Sequence, residues 1–283
     1  MINKIMVLGA GTMGLGIAQV MAQAGKTVIV RDLNDSILDA SKARLISGQE
    51  KLVAKGKKTQ AEMDTVVNNI SFSTELSAAA DCDLVIEAAI EVLDIKKKLF
   101  ADLDEVCKPE TILASNTSST SITAIGAATK RPDKVLGMHF FNPALIMKLV
   151  EVIRGFSTSD EAFQAVYDLA AEIGKTPIEV GEAPAFVANR ILVPMINEAI
   201  GVLEAGTASA EDIDTAMKLG ANHPMGPLAL CDLIGLDVIL AIMETIQFET
   251  GDQKYRPAPL LRKMVRAGIL GQKTGKGFFD YKK

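Results

Sequence analysis

The sequence is poor in aromatic residues and in groups that titrate near neutral pH. Its 283 residues include no tryptophan, three tyrosines and two histidines. The three cysteines, Cys82, Cys107 and Cys231, lie far apart and form no CxxC pair. An odd number of separated cysteines argues against a disulfide framework and a zinc site, and it favours a reducing compartment. We therefore expect a cytoplasmic protein that binds no metal.

Long apolar runs and an excess of positive charge are also missing. The formal net charge is -5 with both signs interspersed, which argues against nucleic acid or an anionic membrane as a partner. No stretch reaches the ~18 apolar residues that a membrane span needs. The segment 228–243 comes nearest, and Asp232 and Asp237 interrupt it. The apolar run before Gly9 is too short for the core of a signal peptide. We expect neither membrane nor nucleic acid among the partners.

Short apolar runs alternate with helical patterns up to about residue 181. Strands are predicted at 4–8, 27–30, 84–86, 111–114, 135–138, 150–153 and, more weakly, 178–180. Helices are predicted at 14–24, 94–106 and 160–173. This alternation predicts an α/β fold: a Rossmann-like dinucleotide-binding domain whose mostly parallel sheet is covered on both faces.

The pattern changes at the Gly-Glu-Ala-Pro stretch that ends at Pro184. Helices are predicted at 185–205, 210–219, 227–249 and 259–267, with no convincing strand. We therefore predict a Rossmann-like domain over 1–183 and an all-α domain over 184–283. The second domain is strongly apolar, so we expect a homodimer or a higher homo-oligomer. The alternative is that its apolar residues form only its own core.

A glycine-rich segment, GAGTMG at 9–14, follows the first predicted strand and begins a helix. This is the GxGxxG fingerprint in the context that dinucleotide binding requires. Gly9 permits the tight turn, Gly11 lets a pyrophosphate approach the backbone, and Gly14 allows close packing of helix on strand. The phosphates are expected at the helix N-terminus, at Thr12 and Met13.

The nature of the dinucleotide depends on Asp32, which ends the second predicted strand. A carboxylate there accepts hydrogen bonds from the ribose hydroxyls and repels a 2′-phosphate, which favours NAD over NADP. Arg31 weakens this preference, because an arginine nearby can accept that phosphate, although it points to the opposite face if the strand continues through it. FAD is the competing cofactor.

His139 is the main candidate for proton transfer, since it follows a predicted sheet strand at the edge where α/β sheets bind ligands. The alternative is a partly buried structural histidine. Glu151 stands inside the apolar run 148–153, where a carboxylate is costly unless it is paired. Two neighbouring strands would bring it against His139, where it would fix the tautomer and stabilise the imidazolium. The alternative is an edge strand with Glu151 in water. His223 lies in a polar turn, and this position favours a solvated residue.

Three further polar segments have two interpretations each. The hydroxyl-rich segment 115–119 follows a predicted strand, and its side chains orient a substrate oxygen, cap the next helix, or do both through different residues. Asn189 and Arg190 are polar groups in an apolar helix, expected to face an interdomain cleft. The basic segment 42–58 favours a solvated helix face, with a site for substrate phosphates as the alternative; Lys51 and Lys55 would share one helix face.

Taken together, the motifs resemble the short-chain 3-hydroxyacyl-CoA dehydrogenase family, and within it the bacterial 3-hydroxybutyryl-CoA dehydrogenases. The resemblance covers nearly the whole chain. It rests on VIEAAIE at 85–91, ASNTSS at 114–119, GMHFFNP at 137–143, KLVEV at 148–152, NRIL at 189–192, EDIDTAMKLG at 211–220, HPMGP at 223–227 and KTGKGFFDY at 273–281, together with the glycine-rich segment.

The resemblance implies an NAD-dependent oxidoreductase that interconverts (S)-3-hydroxybutyryl-CoA and acetoacetyl-CoA in butyrate or fatty-acid metabolism. Its site residues follow from the matched motifs. His139 would be the general acid/base, Glu151 its partner, Ser118 the hydrogen-bond donor to the reacting oxygen and Asn189 a substrate-positioning residue, with Asn142 close by. Glu91, Lys96, Asn116, Asn142 and Lys273 would contact the cofactor, and Lys51 and Lys55 the phosphates of coenzyme A.

Two departures from the family pattern stand out. Ala185 occupies a position where glycine is usual, so we expect a stiffer local hinge. The segment 144–146 replaces a loop that more usually contains proline, which puts the acyl-chain preference in doubt. Two rival functions stay open: an NAD-dependent dehydrogenase of a free hydroxy acid such as a sugar acid, and an NAD-binding protein without catalysis.

Overall fold

The computed structural model describes residues 2–282, so Met1 and Lys283, the outer ends of the two predicted domains, lie outside the described residues. The chain divides into two compact units, Met1–Glu182 and Ala183–Lys283. The division falls one residue before the boundary after residue 183 that the sequence suggests.

The first unit is built on one eight-stranded sheet. In chain order its strands are β1 Lys4–Leu8, β2 Thr27–Arg31, β3 Ile70–Ser73, β4 Leu84–Glu87, β5 Ile112–Ser115, β6 Val135–Phe140, β7 Leu149–Arg154 and β8 Thr176–Gly181. Their order across the sheet is β3-β2-β1-β4-β5-β6-β7-β8. Every neighbouring pair is parallel except β6 with β7. The first six strands follow the doubly wound dinucleotide-binding order, so the expected α/β fold is confirmed.

Helices connect these strands and cover the sheet. They are α1 Thr12–Gln23, α2 Asp35–Ala54, α3 Gln60–Asn68, α4 Leu93–Val106, α5 Ile122–Gly126 and α6 Asp160–Glu172. The inner strands carry consecutive buried apolar residues, as a sheet covered on both faces requires. Ile5, Val7 and Ile86 pack with Met21 of α1 and Leu45 of α2 in one core cluster.

Strand β3 is absent from the sequence-based prediction. Its sequence, Ile-Ser-Phe-Ser, has two apolar residues, and it lies at the edge of the sheet. A short edge strand needs apolar side chains on one face only, so it leaves little signal in the sequence.

The basic segment does not form one helix over 42–58. Helix α2 begins after Asn34, whose side chain accepts from the Ile37 N–H at 3.1 Å, and it ends at Ala54. Lys55 is the C-cap and Lys57 lies beyond it. The Lys55 N–H still donates to the Lys51 carbonyl at 3.2 Å, so the two lysines share a face at the end of α2, as expected.

The second unit consists of helices. They are α7 Ala188–Glu204, α8 Ala210–Gly220, α9 Pro227–Ile234, α10 Leu236–Thr250 and α11 Pro259–Arg266. The single helix predicted over 227–249 is wrong, because Gly235 has φ 108° and divides it. Helix α7 begins three residues later than predicted, because Ala185 (φ 61°) and Phe186 (φ 56°) lie in the left-handed region.

The last residues of the chain are attached to α9 through a buried aspartate. Asp232 is 1% exposed and accepts from the N–H groups of Phe278 and Phe279, each at 3.0 Å, and from the Tyr281 hydroxyl at 3.1 Å. Burial, helped by nearby Asp214, raises the pKa of this carboxyl. Across the described residues 2–282, no helix combines the length and apolar character that crossing a bilayer requires.

Candidate active site

The glycine-rich turn after β1 brings the chain against the neighbouring strand. Gly9 has φ 101°, and a Cβ there would lie 2.5 Å from the carbonyl oxygen of Ala88, which follows β4. A Cβ on Gly14 would lie 1.8 Å from the Gly9 oxygen. Both glycines are therefore required for packing at the β1–β4 crossover, where doubly wound sheets bind their ligands.

Gly11 is different, because a Cβ built on it meets no heavy atom within 4 Å among the described residues. Its φ of -69° is open to any residue. Gly11 is also the N-cap of α1, and in the part of the chain that the structure describes no side chain caps this helix or places an acid in its first turn. The turn therefore leaves room and a positive helix end for a phosphate, which fits a dinucleotide.

Asp32 closes this site at the end of β2. Its carboxylate accepts from the Ala10 N–H and the Leu33 N–H, each at 2.7 Å, so it is held beside the glycine-rich turn. Arg31 is bonded elsewhere, since its Nε donates to the Thr74 carbonyl at 3.0 Å. Arg44 of α2 donates to the Ala10 carbonyl at 2.8 Å. Sequence reasoning placed Arg44 only among the basic residues of the segment 42–58, because its distance to the turn depends on tertiary packing.

His139 and Glu151 lie directly opposite each other in the antiparallel β6–β7 pair. Nδ1 of His139 is 2.7 Å from Oε2 of Glu151, and the two residues are 5% and 0% exposed. A carboxylate only accepts hydrogen bonds, so Nδ1 carries the proton. The Phe141 ring lies 4.6 Å from the imidazole, centroid to centroid. Strand β7 is an inner strand, so the alternative of an edge strand with Glu151 in water is wrong.

The segment after β5 is held by hydrogen bonds from both sides. Asn116 Oδ1 accepts from the Phe140 N–H at 2.8 Å, which ties the segment to β6. Glu91 Oε1 accepts from the Thr117 hydroxyl and from the N–H groups of Ser118 (2.8 Å) and Ser119 (3.2 Å). The cap of the next helix is not in this segment.

That cap is Ser121, whose side chain accepts from the Ala124 N–H at 3.1 Å. The interpretation of the segment 115–119 as a helix cap is therefore wrong.

Lys96, expected to contact the cofactor, is only 1% exposed. Its ammonium lies 2.7 Å from a carboxylate oxygen of Glu87 and 3.0 Å from one of Glu91. Burial acts to raise the pKa of the Glu91 carboxyl, but Lys96 and the donors of Thr117 and Ser118 outweigh it, so this pKa lies below its usual value. The Lys96 ammonium therefore binds two carboxylates and does not lie on an open surface.

The remaining predicted residues are placed as follows. In the first unit, Asn142 is exposed just beyond β6, and Lys51 and Lys55 are exposed at the end of α2. In the second unit, Asn189 is the second residue of α7, and Lys273 forms a close ion pair with Asp237. His223 is half-buried in the non-helical segment after α8, so it is less exposed than the solvated turn residue that the sequence favours. Within residues 2–282 no group of three or more metal-ligating side chains exists.

Comparison with known proteins gives full-length matches. A family model described as 3-hydroxyacyl-CoA dehydrogenase, NAD binding domain, matches residues 4–183, and the C-terminal domain model of the same name matches 186–281. A curated relative, 3-hydroxybutyryl-CoA dehydrogenase of Clostridioides difficile, is 55% identical over 280 residues, which cover 99% of this chain and 100% of the relative.

Two solved structures extend the comparison. That of (S)-3-hydroxybutyryl-CoA dehydrogenase from Ralstonia eutropha is 49% identical with a TM-score of 0.97, and the match covers 100% of both chains. A diketoreductase, described as acting on dicarbonyl compounds, is 32% identical with a TM-score of 0.87 over 99% of both chains.

Proposed function

The chain belongs to the 3-hydroxyacyl-CoA dehydrogenase family, and from that premise we propose that it interconverts (S)-3-hydroxybutyryl-CoA and acetoacetyl-CoA. It is an oxidoreductase with NAD as its cofactor, as the sequence motifs predict. The short-chain substrate is supported by relatives named for that activity at 48–55% identity. The observation that carries the chemistry is the buried His139–Glu151 pair at 2.7 Å.

The cofactor fits the residues at the end of β1. Gly11 leaves the space that a pyrophosphate needs, and the helix end of α1 lacks a side-chain cap within the described chain. Asp32 is held at the glycine-rich turn, where its carboxylate can accept hydrogen bonds from ribose hydroxyls. When bound, NADH supplies the hydride that reduces C3 of the 3-oxoacyl thioester.

Proton transfer is the task of His139. As C3 is reduced, negative charge builds on its oxygen, and protonated His139 donates a proton to that oxygen through Nε2, since Nδ1 is bonded to Glu151. Glu151 stabilises the charged ring and fixes its orientation. In the oxidative direction the neutral ring takes the hydroxyl proton back.

Further polar side chains have proposed roles in the reaction. Ser118 donates a hydrogen bond to the polarised oxygen, and its main chain is held in place by Glu91. Asn189 and Asn142 position the thioester, and Lys51 and Lys55 interact with the phosphates of coenzyme A. Cofactor contacts are proposed for Asn116, Glu91 and Lys273, and Lys96 supports Glu91.

The substrate assignment is tested by comparing acetoacetyl-CoA with acetoacetate and with longer 3-oxoacyl-CoA thioesters. The oxidation of NADH, followed by its absorbance, measures each rate, and NADPH replaces NADH in a parallel series. We expect kcat/KM to be highest for acetoacetyl-CoA with NADH. Equal values for acetoacetate and acetoacetyl-CoA would contradict the assignment.

A second candidate function is the reduction of dicarbonyl compounds that lack coenzyme A. It is favoured by the similarity to the diketoreductase over nearly the whole length of both chains. A free diketone in the same assay distinguishes the two: a kcat/KM above that for acetoacetyl-CoA would support the second function.

We also propose that the protein is a cytoplasmic homodimer formed by the second unit. Its helices leave large apolar side chains exposed, including Ile191 (68%), Leu219 (82%) and Phe248 (85%). An apolar groove of about 420 Å³, lined by Met195, Val202 and Met217 among others, lies between α7 and α8. Light scattering after gel filtration should give twice the chain mass of 30.1 kDa. A monomer would contradict the proposal.

A further inference from the structure

Glu87 is a carboxylate with no contact to solvent at the end of β4. It is 0% exposed, and its oxygens receive donors from three directions. The Ser115 hydroxyl donates to Oε2 and the Ala89 N–H to Oε1, each at 2.6 Å. The Lys96 ammonium donates to both oxygens at 2.7 and 2.9 Å. Glu87 takes no part in the proposed reaction.

The network continues from Glu87 to the segment that carries Ser118. Lys96 is shared between Glu87 and Oε2 of Glu91, and Glu91 uses its other oxygen to hold the segment after β5. That oxygen accepts the N–H groups of Ser118 and Ser119. The main chain around Ser118 is therefore held by an anion in the connection between β4 and α4 rather than by secondary structure.

The energetic argument concerns two carboxylates that share one ammonium. A buried ion pair contributes little to stability compared with an apolar replacement, but removing one partner leaves an uncompensated charge in the interior. If Glu87 loses its charge, the full charge of Lys96 acts on Glu91 and draws it toward the interior. Glu91 is the carboxylate with room to move, since its side chain is 38% exposed whereas that of Glu87 is 0% exposed. The bonds at risk are those from Glu91 to Ser118 and Ser119.

We propose that Glu87 is a positioning residue: through Lys96 it sets the place of Glu91, and Glu91 sets the place of the Ser118 hydroxyl. The proposal rests on the proposed function in one respect, the contact of Ser118 with the reacting oxygen. The rest of the proposal, that Glu87 sets the positions of Glu91 and Ser118, concerns the protein without any ligand. A hydroxyl displaced by about 1 Å is expected to lower turnover by roughly 10²-fold at most.

The first test is amide hydrogen exchange of the ligand-free protein, followed by mass spectrometry on overlapping peptides over 116–121. In Glu87→Gln, which keeps the side-chain shape, we expect the Ser118 and Ser119 amides to exchange about tenfold faster. Lys98→Met is the matched control, because Lys98 lies on the same helix as Lys96 and forms an exposed ion pair with Asp102. The control should leave both exchange rates unchanged. Unchanged rates in Glu87→Gln would overturn the proposal.

The second test is a double-mutant cycle on kcat with Ser118→Ala. If Glu87 acts through the Ser118 hydroxyl, Glu87→Gln lowers kcat about tenfold or more in the wild-type background and by less than about twofold in the Ser118→Ala background. All kcat values are measured at saturating NADH, as defined by titration of NADH fluorescence, so that a weaker cofactor contact of a displaced Glu91 does not enter the comparison. Additive effects on kcat would overturn the proposal. Loss of NADH binding with normal kcat would also overturn it, because that result would indicate that Lys96 contacts the cofactor directly.

A milder variant covers the case in which Glu87→Gln does not fold. Glu87→Asp keeps the charge but shortens the side chain, which weakens its contacts with the Lys96 ammonium. It should accelerate exchange at the same two amides by a smaller factor, and no change there would count against the proposal. Failure of the proposed function has a separate signature, since faster exchange in Glu87→Gln together with full turnover of Ser118→Ala would reject only the catalytic role of Ser118.

Discussion

The Nδ1 atom of His139 lies 2.7 Å from the Oε2 atom of Glu151, across a directly paired position of strands β6 and β7. Because both side chains are buried, neither is free to turn toward bulk water. The pair therefore presents one defined tautomer of the imidazole, with its proton on Nδ1. A histidine in that state accepts or donates a proton through Nε2 only.

The carboxylate of Glu151 is expected to be essential to this arrangement. In Glu151→Gln the amide can donate to Nδ1 and stabilise the wrong tautomer, and the charge that supports the imidazolium is lost. We expect kcat to fall by about 10²-fold or more, while the Kd for NADH stays within about twofold. Steady-state kinetics and NADH fluorescence measure the two quantities. Glu179→Gln on the neighbouring strand is the control, and a kcat near wild type in Glu151→Gln would reject the role.

Alanine substitutions at two glycines of the segment 9–14 should impair the protein for different reasons. Gly11→Ala meets no heavy atom within 4 Å in the described chain, so its melting temperature should match wild type. Its methyl group occupies the space left for the pyrophosphate, so NADH should bind about tenfold or more weakly. Gly14→Ala places a Cβ 1.8 Å from the Gly9 oxygen and should destabilise the ligand-free protein itself. Normal NADH binding by Gly11→Ala would contradict the assigned phosphate site.

Lys51 and Lys55 provide a test of coenzyme A recognition. Both are exposed, so replacing the two by glutamine should not disturb the fold. We expect KM for acetoacetyl-CoA to rise about five- to tenfold with little change in kcat, as two exposed charge contacts would give. The effect should shrink at high salt and be absent for the pantetheine thioester, which lacks the nucleotide phosphates. Lys42→Gln on the same helix is the control, and an equal rise in KM for both thioesters would contradict the contact.

The acid stability of the first unit should depend on Asp83. Burial acts to raise the pKa of this carboxyl, but Lys108 at 2.8 Å and the N–H groups of Asn3 and Lys4 outweigh it and lower the pKa to about 2. A depressed pKa contributes stability above the unfolded value of about 3.9 and loses it as the pH falls toward 2.

Asp83→Asn should therefore lower the free energy of unfolding at pH 7 by about 1 kcal/mol, after allowance for solvent screening of this partly exposed group. Urea unfolding at pH 7, 5, 4 and 3 measures the difference, which should shrink below pH 4. A difference that is constant over this range would assign the loss to packing rather than to the charge.

Much of the fold, and the pairing of His139 with Glu151, can be predicted from local sequence patterns. The glycine spacing at 9–14 and the acid at Asp32 predict the cofactor site, because each depends on residues close in sequence. Glu151 was predictable since a charge inside an apolar strand needs a partner. The break at Gly235 was not, because a glycine between two helical patterns is also tolerated inside one helix. The enclosure of Lys96 depends on contacts between separate elements, which no local pattern records.

The central claim is that His139 moves the proton during hydride transfer, and turnover of His139→Gln tests it most directly. Glutamine keeps a polar side chain of similar size but cannot exchange a proton near neutral pH. We expect NADH to bind with a Kd within about twofold of wild type and kcat with acetoacetyl-CoA to fall about 10²-fold or more. Turnover close to wild type with NADH bound normally would contradict the claim.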